Sequence, residues 1–374
     1  MNNYPVQSSC QWNEGTILLL ADRDRTTERS LEQRIERFSY AYGKTYDSYL
    51  INDGNREIFQ SSDGEGLLGY IRDGRYLHVI GGLLAAAPEA KTRLLQEFLE
   101  LARQCKIRTV LFHNILEEDC LLFQPFGVEL TKCGEEAVVD LEQTTWTGGA
   151  YEWVRRQESY CRRKGLVAAE VTHVLDDALK RELEWISSDH VKRTTTGKEF
   201  SYFAGRLLLD DPKRQRIFVA RSAERVEAFI VCNPGKGGEF YAIEMYRYRQ
   251  NAPRGAMPFL WLQTLRQLKQ EGVAEASLCM MPFYGCNQKH PQDNAFLRYC
   301  NVFWYEYLNW LFNARGLRLF KSRFRPAGKS MFTVCYPKTS IGGLWSAFQL
   351  WELSSVLSPS ARIKKLKGRV RGSV

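Results

Sequence analysis

The sequence predicts an α/β (α+β) protein made of two similar domains in tandem, each a mostly antiparallel mixed β-sheet flanked by helices. The 374-residue chain is longer than one ordinary domain and fits two. Apolar residues recur with helix and strand periods in an order that occurs twice along the chain. Asp-Gly and Gly-rich turns separate several short strand-like segments, which is typical of antiparallel sheets.

The first predicted domain covers residues 1–145. Leu31, Ile35 and Phe38 give its first helix one apolar face, and Pro88 marks the start of its second helix. The predicted helices cover residues 26–40 and 88–102, and the predicted strands cover residues 46–50, 57–60, 66–72, 76–80, 109–113 and 136–141. A basic connecting helix is predicted within residues 146–166, where Gly165 ends it.

The second predicted domain, residues 167–340, repeats this order. A meander of strands precedes an amphipathic helix and a buried strand, as in the first domain. The predicted strands cover residues 167–173, 217–220, 227–233, 239–245, 275–280 and 333–336, and the predicted helices cover residues 178–187, 257–271 and 303–312. We interpret the aromatic helix 303–312 as buried, and the wall of an acyl-chain tunnel is the alternative.

Charge and composition narrow the class of protein. The formal net charge is +9, and the six basic residues within 361–374, which contain no acid, supply most of it. Such a distribution indicates an anionic partner that is met partly through the tail. No run of residues is apolar enough over about 18 positions to span a bilayer. The ten cysteines include no CxxC pair, so we expect reduced thiols and a cytoplasmic protein.

The end of the chain, residues 341–374, combines aromatic and basic residues. Trp345 and Trp351 lie in an apolar, amphipathic segment, and Lys364, Lys365 and Lys367 follow in the basic tail. This combination is typical of a peripheral anchor on an anionic membrane surface, here the inner face of the cell membrane. A packed helix followed by a solvated tail is the alternative.

Residues 244–257 form the most informative segment, because a predicted strand leads there through a loop into a helix. Alternation along the strand places Arg247 and Arg249 on one face and Glu244 on the other. Residues 252–255 then turn the chain and leave the first amides of the helix free, which predicts an anion site. An ordinary cluster of surface ion pairs is the alternative.

A second basic segment lies at residues 319–326. In an extended conformation, Lys321, Arg323 and Arg325 line one face, with aromatic residues opposite. The alternative is a solvated charged face. Cys279 and Cys286 have no partner histidine in the sequence pattern, and we interpret them as packing residues.

These two segments resemble the catalytic region of the aminoacyl-phosphatidylglycerol synthases, also called the phosphatidylglycerol lysyltransferase family. The resemblance covers roughly residues 40–340. A further stretch, from Gly134-Glu135-Glu136 through Arg155-Arg156, is similar to the family's interdomain signature. The runs that carry the resemblance are Glu244-Met245-Tyr246-Arg247-Tyr248-Arg249, Ala252-Pro253-Arg254-Gly255-Ala256-Met257 and Leu319-Phe320-Lys321-Ser322-Arg323-Phe324-Arg325-Pro326.

The resemblance implies tandem GNAT-like domains and transfer of an aminoacyl group, lysyl or alanyl, from aminoacyl-tRNA to a hydroxyl of phosphatidylglycerol. It implies an anionic phospholipid and aminoacyl-tRNA as partners, no cofactor and no metal, and we expect a soluble form without the family's membrane flippase region. Transfer to a small soluble hydroxylated acceptor and non-catalytic binding of nucleic acid or membrane are the alternatives. An acyl-CoA transferase is disfavoured, because Ala252 and Arg254 replace the glycines of the phosphate loop.

The resemblance also implies roles for individual residues. Glu244, Arg247 and Lys321 correspond to the catalytic positions, where Lys321 and an arginine stabilise negative charge and Glu244 holds the substrate's amino group or orients the hydroxyl. The expected substrate-binding residues are Arg249, Arg193, Glu199, Gly255 and Arg323.

Overall fold

A computed structural model describes residues 17–18, 25–193, 205–310 and 312–351. Within these residues twelve strands form one sheet: β1 (Ile17–Leu18), β2 (Glu57–Gln60), β3 (Gly66–Asp73), β4 (Tyr76–Ala85), β5 (Thr109–Leu116), β6 (Glu129–Asp140), β7 (Val167–Glu170), β8 (Arg216–Arg221), β9 (Val226–Gly235), β10 (Phe240–Tyr248), β11 (Glu275–Pro282) and β12 (Ala327–Tyr336). The α-helices described are α1 (Arg25–Tyr42), α2 (Pro88–Gln104), α3 (Glu152–Arg163), α4 (Asp177–Arg193), α5 (Ala256–Gln270), α6 (Ala295–Tyr307), α7 (Ala314–Ser322) and α8 (Ile341–Leu350).

The sheet contains one pattern twice. Its order is β1-β2-β3-β4-β5-β12-β6-β11-β10-β9-β8-β7. In each half an antiparallel meander leads to a parallel pair, β4 with β5 and β10 with β11, and a helix, α2 or α5, connects the two strands of the pair. The mostly antiparallel α/β fold predicted from the sequence, with its repeated order, is thereby confirmed.

The two halves exchange their last strands. β6 ends the first half but pairs with β11 of the second, and β12 ends the second half but pairs with β5 of the first. β6 and β12 also pair with each other in the middle of the sheet. The division of the chain at residues 145 and 167 stays a prediction. The exchange means that neither half builds its sheet from its own strands alone.

The connecting helices hold the core. α2 buries Leu94, Leu95 and Phe98 against the first half of the sheet. α5 is buried on every side over residues 256–262, which are all apolar, whereas its last two turns turn polar residues toward the surface. α3 and α4 pack on opposite faces of the second half, because Ala228 contacts the cluster containing α3 and Phe229 contacts the cluster containing α4.

Three local predictions were wrong. The predicted strand 46–50 runs instead into a 3₁₀ helix, Ser48–Asp53, because the side chains of Thr45, Asp47 and Ser48 bond to one another and favour a turn. Residues 314–322 form helix α7 rather than an extended segment, and Asn313 caps that helix by accepting from the Gly316 amide at 3.0 Å.

The third wrong prediction concerns the aromatic helix. It ends at Tyr307 as α6, and its aromatic residues are not buried as a group, since Phe303 is 52% exposed and Tyr307 is 69% exposed. Among the described residues, no helix is both long enough and apolar enough to cross a membrane.

A buried polar chain ties α8 to the first half of the sheet. His113 Nε2 lies 3.2 Å from His78 Nδ1, and His78 Nε2 lies 2.8 Å from Ser346 Oγ. Ser346 donates to the carboxylate of Asp73, so both histidine contacts are satisfied when each ring is neutral and donates through Nε2. Burial lowers the pKa of His78 to about 4, against the opposing charge of Asp73. Burial and the neighbouring His78 hold the pKa of His113 well below its usual value.

This arrangement predicts acid sensitivity. A histidine whose pKa falls from 6.5 to about 4 on folding binds its proton more readily in the unfolded chain, so stability falls as the pH drops below 6.5. Between pH 7 and pH 5 the wild type should therefore lose roughly 2 kcal/mol more free energy of unfolding than His78→Gln. Urea unfolding at both pH values measures this difference. The exposed His173→Gln is the control, and an equal loss in wild type and His78→Gln would contradict the assignment.

Candidate active site

A fork between β10 and β11 organises the most polar part of the interior. The parallel ladder joins residues 240–242 to residues 275–277 and goes no further, although both strands continue. β10 has a bulge between Ile243 and Met245, and β11 shifts register against β6 between Ser277 and Met280. Cys279, with a φ of 64°, lies within that shift. Two irregularities at the same level therefore separate the strands.

Glu244 occupies the bulge of β10. Its Oε1 accepts a hydrogen bond from the Gly205 amide at 2.7 Å, and a β-carbon on Gly205 would lie 2.8 Å from Oε2. The segment after Gly205 carries Leu207 and Leu209, which pack with Met245 in the cluster under α4. Glu244 therefore points to the same side of the sheet as Met245. The prediction that Glu244 points to the other face of β10 from the residues that follow it was wrong, because the bulge adds one residue to the strand.

Lys321 lies near the end of α7 and enters the fork. Only 2% of the residue is exposed, and Nζ donates to the Met280 carbonyl at 2.7 Å. Burial lowers the pKa of this lysine to about 8, and the nearby Cys279 and Glu136 oppose the shift. Phe320 and Phe324 pack around Trp261 of α5, which fixes the helix that carries the lysine.

The charges of Glu244 and Lys321 both act on Cys279. The Cys279 Sγ lies 3.0 Å from the carbonyl oxygen of Ile243, next to Glu244, while Lys321 bonds to the next residue, Met280. Burial raises the pKa of Cys279 well above its usual value; Lys321 lowers it and Glu244 raises it, so both charges act on one thiol. Two residues far apart in the sequence are thus brought to opposite sides of one backbone segment.

A groove lies at the start of α5, and Glu244, Cys279 and Lys321 are not among the residues that line it. Its volume is about 350 Å³, and its lining is mostly apolar. Tyr246 and Tyr248 of β10 form one wall and Leu317 and Phe320 of α7 form the other, with residues 252–258 at one end. Its dimensions and lining suit an apolar or amphipathic ligand.

The predicted anion site at the start of α5 is largely absent. Gly255 precedes the helix with a φ of 90°, and the Ala256 amide already donates to the Pro253 carbonyl at 3.0 Å. Pro258 has no amide hydrogen. Of the first three helical residues, Met257 alone can offer an amide, so this helix start is a weak site for phosphate.

Comparisons with known proteins identify the family of this chain. The family model described as phosphatidylglycerol lysyltransferase, C-terminal, matches residues 38–335. The chain belongs to this family. It is 28% identical over 307 residues to the phosphatidylglycerol lysyltransferase of Bacillus subtilis (strain 168), which is 82% of this chain and 35% of that protein. The chain thus spans about a third of the length of the curated relatives that it matches.

Two solved structures share the fold of this chain. The structure of L-PGS from Bacillus licheniformis superposes with a TM-score of 0.72 at 24% identity and covers 85% of this chain and 95% of that chain. The crystal structure of FemX superposes with a TM-score of 0.53 at 9% identity and covers 84% and 98%. At these identities the likeness establishes a shared fold.

The remaining residues that the family resemblance singles out are dispersed around the fork. Arg247 lies on β10 close enough to His190 of α4 for its charge, after burial, to lower the pKa of that histidine. Arg193, at the end of α4, pairs with Asp189 and bonds to the Tyr248 carbonyl. Their roles toward a substrate stay predictions.

Arg249 and Arg323 have protein partners. Arg249 pairs with Glu182 of α4 at 2.6 Å and lies over the ring of Trp185, and Arg323 lies over Trp153 at 5.4 Å. Gly255 is favoured by its φ of 90°, and a β-carbon there would also displace the end of the Gln157 side chain, whose Oε1 would lie 2.6 Å away. Glu199, Lys364, Lys365 and Lys367 lie outside the described residues.

Glu136 is the residue that the sequence analysis did not assign to the site. It is fully buried on β6, where Oε1 accepts from Ser277 Oγ at 2.6 Å and from the Tyr46 amide at 2.9 Å. Burial raises its pKa to about 7, with Asp47 adding to the shift. Oε2 is buried without a hydrogen-bond partner among the described residues. The signal in the sequence is a glutamate directly before the apolar residues 137–139 of a predicted strand.

The raised pKa of Glu136 predicts an alkaline loss of stability. Because the folded state holds the proton up to about pH 7 and the unfolded state releases it near 4.5, stability falls as the pH rises between these values. Between pH 5 and pH 8 the wild type should lose about 2 kcal/mol more free energy of unfolding than Glu136→Gln. Urea unfolding at the two pH values tests this. The exposed Glu152→Gln is the control, and parallel curves for Glu136→Gln and wild type would show that the carboxylate is already charged.

Proposed function

We propose that this chain transfers an aminoacyl group, lysyl or alanyl, from aminoacyl-tRNA to a hydroxyl group of phosphatidylglycerol or a related lipid. The observation that carries the proposal is the buried Lys321 ammonium, which acts on Cys279 from the side opposite Glu244, while the neighbouring residue Phe320 lines an apolar groove. Membership of a family named for lysyl transfer to phosphatidylglycerol supports it.

The reaction needs positioning and charge stabilisation more than chemical activation. The acceptor oxygen attacks the carbonyl carbon of the aminoacyl ester, the bond from that carbon to the ribose oxygen breaks, and the acceptor's proton ends on the ribose hydroxyl. With a pKa of about 8, Lys321 is available in both protonation states near neutral pH. Its neutral form accepts the acceptor's proton, and its charged form stabilises the tetrahedral oxyanion and returns the proton to the leaving oxygen.

Glu244 suits the amino group of the aminoacyl moiety. Its carboxylate is held toward the α4 side of the sheet by the Gly205 amide, so it forms a fixed negative charge beside the fork. We place Arg247 and Arg193 on the same side as contacts for the phosphates of the tRNA end. Arg249 serves this arrangement indirectly, since its pair with Glu182 holds α4 in place.

The apolar groove and α8 suit the lipid side. The groove lies on the side of the fork that α5 and α7 cover, where an acyl or glycerol portion would meet tyrosine and phenylalanine rings. Trp345 of α8 is 54% exposed and is available to a membrane surface, together with the basic tail. Trp351 is half-buried against His113 and Phe283, so its ring packs within the protein.

A transfer assay tests the proposal. The full chain is incubated with radiolabelled lysyl- or alanyl-tRNA and vesicles of phosphatidylglycerol, and label is followed into the lipid extract. We expect label in the lipid, and we expect its loss when the tRNA is digested with ribonuclease first. Label in a water-soluble product would favour a small hydroxylated acceptor. No transfer from either tRNA to any acceptor would contradict the proposal.

Replacing the lysine separates activity from folding. Lys321→Met should lower the transfer rate by at least about 100-fold, because both the proton acceptor and the oxyanion partner are lost. Its free energy of unfolding should match or exceed that of the wild type, since methionine fills the site without a buried charge. Lys180→Met, which removes a lysine paired with the exposed Asp210, is the control and should keep full activity. A Lys321→Met protein that transfers at the rate of the control would exclude Lys321 from the reaction.

A further inference from the structure

The solvent-facing side of α6 is a row of aromatic rings. Phe296, Tyr299, Phe303 and Tyr307 follow one another at helical spacing and are between 52% and 69% exposed. We call these four residues the aromatic ridge. The Phe303 and Tyr307 rings lie 5.2 Å apart, and Trp310, just after the helix, is 47% exposed.

The opposite side of α6 is packed as well. Leu297 and Asn301 are buried, and the ring of Trp304 lies 6.2 Å from that of Phe348 on α8. The helix is therefore apolar on both its inner and outer sides. A helix on the surface of a globular protein normally turns a polar face outward. The exposed aromatic ridge therefore indicates a surface that binds a partner.

α8 packs against Trp304 on the inner side of α6 and exposes further apolar residues. Phe348, which contacts Trp304 of α6, also stacks on Trp345 at 5.6 Å. Trp345 is 54% exposed and Ile341 is 81% exposed. The two helices therefore present aromatic and aliphatic side chains side by side.

The surroundings of the aromatic ridge are basic. Residues 295–325 contain six arginines and lysines and a single acid, Glu306. Lys321 is buried, and Arg298 and Arg315 are paired with Asp293 and Glu306, so the surface charge comes from Arg318, Arg323 and Arg325. Arg298 lies under the ring of Tyr299 at 4.7 Å. The sequence beyond α8 adds the six basic residues within 361–374, with no acid among them. An apolar surface surrounded by positive charge is complementary to anionic lipid headgroups above acyl chains.

We propose that the aromatic ridge, with Trp345 and Ile341, is the surface by which this chain docks on an anionic phospholipid bilayer. The inference rests on the proposed function in naming the partner, because a lipid acceptor must be reached in a membrane. Tyrosine and tryptophan rings favour the boundary between headgroups and acyl chains, where one end of the ring is apolar and the other is wet. α7, which carries Lys321 and lines the groove, begins beside the end of α6, where Arg315 Nε donates to the Tyr305 carbonyl at 3.1 Å, so docking brings this helix close to the lipid.

Vesicle binding tests the docking surface. Sedimentation of the full chain is measured with vesicles of equimolar phosphatidylglycerol and phosphatidylcholine and with vesicles of phosphatidylcholine alone. The wild type should bind the anionic vesicles, and the double variant Phe303→Ser/Tyr307→Ser should bind them at least about tenfold more weakly. Leu121→Ser, which removes a 65% exposed leucine in the first half of the chain, should bind like the wild type. Thermal unfolding confirms that all three proteins are folded, because the substituted side chains are exposed.

Two results would overturn the docking surface. One is unchanged vesicle binding by the double variant. The other is a wild-type dimer that the double variant converts to a monomer while vesicle binding stays the same, since the aromatic ridge would then join two copies of the chain. Transfer to a short-chain phosphatidylglycerol dissolved as monomers is measured in parallel. If the double variant keeps this transfer but loses vesicle binding, docking is supported. If the wild type shows ridge-dependent binding but no transfer, the proposed function fails and the docking surface stands.

Discussion

The exchange of β6 and β12 is the constraint on which the site depends. β12 begins at Ala327, only a few residues after α7 ends at Ser322, and it is held between β5 and β6 along most of its length. The place of Lys321 is therefore set by strands from the other half of the chain. Glu136 depends on the same pairing, because it lies opposite Lys329 in the β6–β12 ladder and one strand away from the fork.

The separation of β10 and β11 explains why charged side chains are tolerated in this part of the interior. Two bulges at one level remove backbone hydrogen bonds, and side chains take their place, as with Lys321 on the Met280 carbonyl and Cys279 on the Ile243 carbonyl. The pKa of Glu136 rises to about 7 while the pKa of Lys321 falls to about 8. Burial thus brings the pKa values of one acid and one base close to neutral pH, which is an arrangement useful for transfer chemistry and costly for stability.

Periodicity was enough to predict the fold class and the repeated order of elements, since each helix and strand of the core shows its own apolar pattern. Turns were harder to predict than the fold class. Residues 45–48 have a strand-like pattern, but their hydroxyl and carboxylate groups bond to one another and form a turn. The strand exchange could not be predicted, because local sequence does not specify which strand a given strand pairs with. For the candidate site, the sequence singled out Glu244 and Lys321, whose roles stay predictions, but reversed the side to which Glu244 points, because a one-residue bulge leaves no mark in the pattern.

The aromatic helix illustrates a limit of a different kind. An apolar pattern predicts that a surface is removed from water, and for residues 303–312 that prediction led to a buried helix. The structure places the rings of Phe303 and Tyr307 outward instead. The apolar pattern and the exposed rings are consistent with each other if lipid, rather than protein, covers the rings. Hydropathy measures the preference of a side chain for an apolar medium, and acyl chains satisfy that preference as well as a core does. The basic residues that follow α6 favour lipid over a protein core as the cover. Positive charge does not stabilise an apolar core, whereas an anionic lipid surface attracts it.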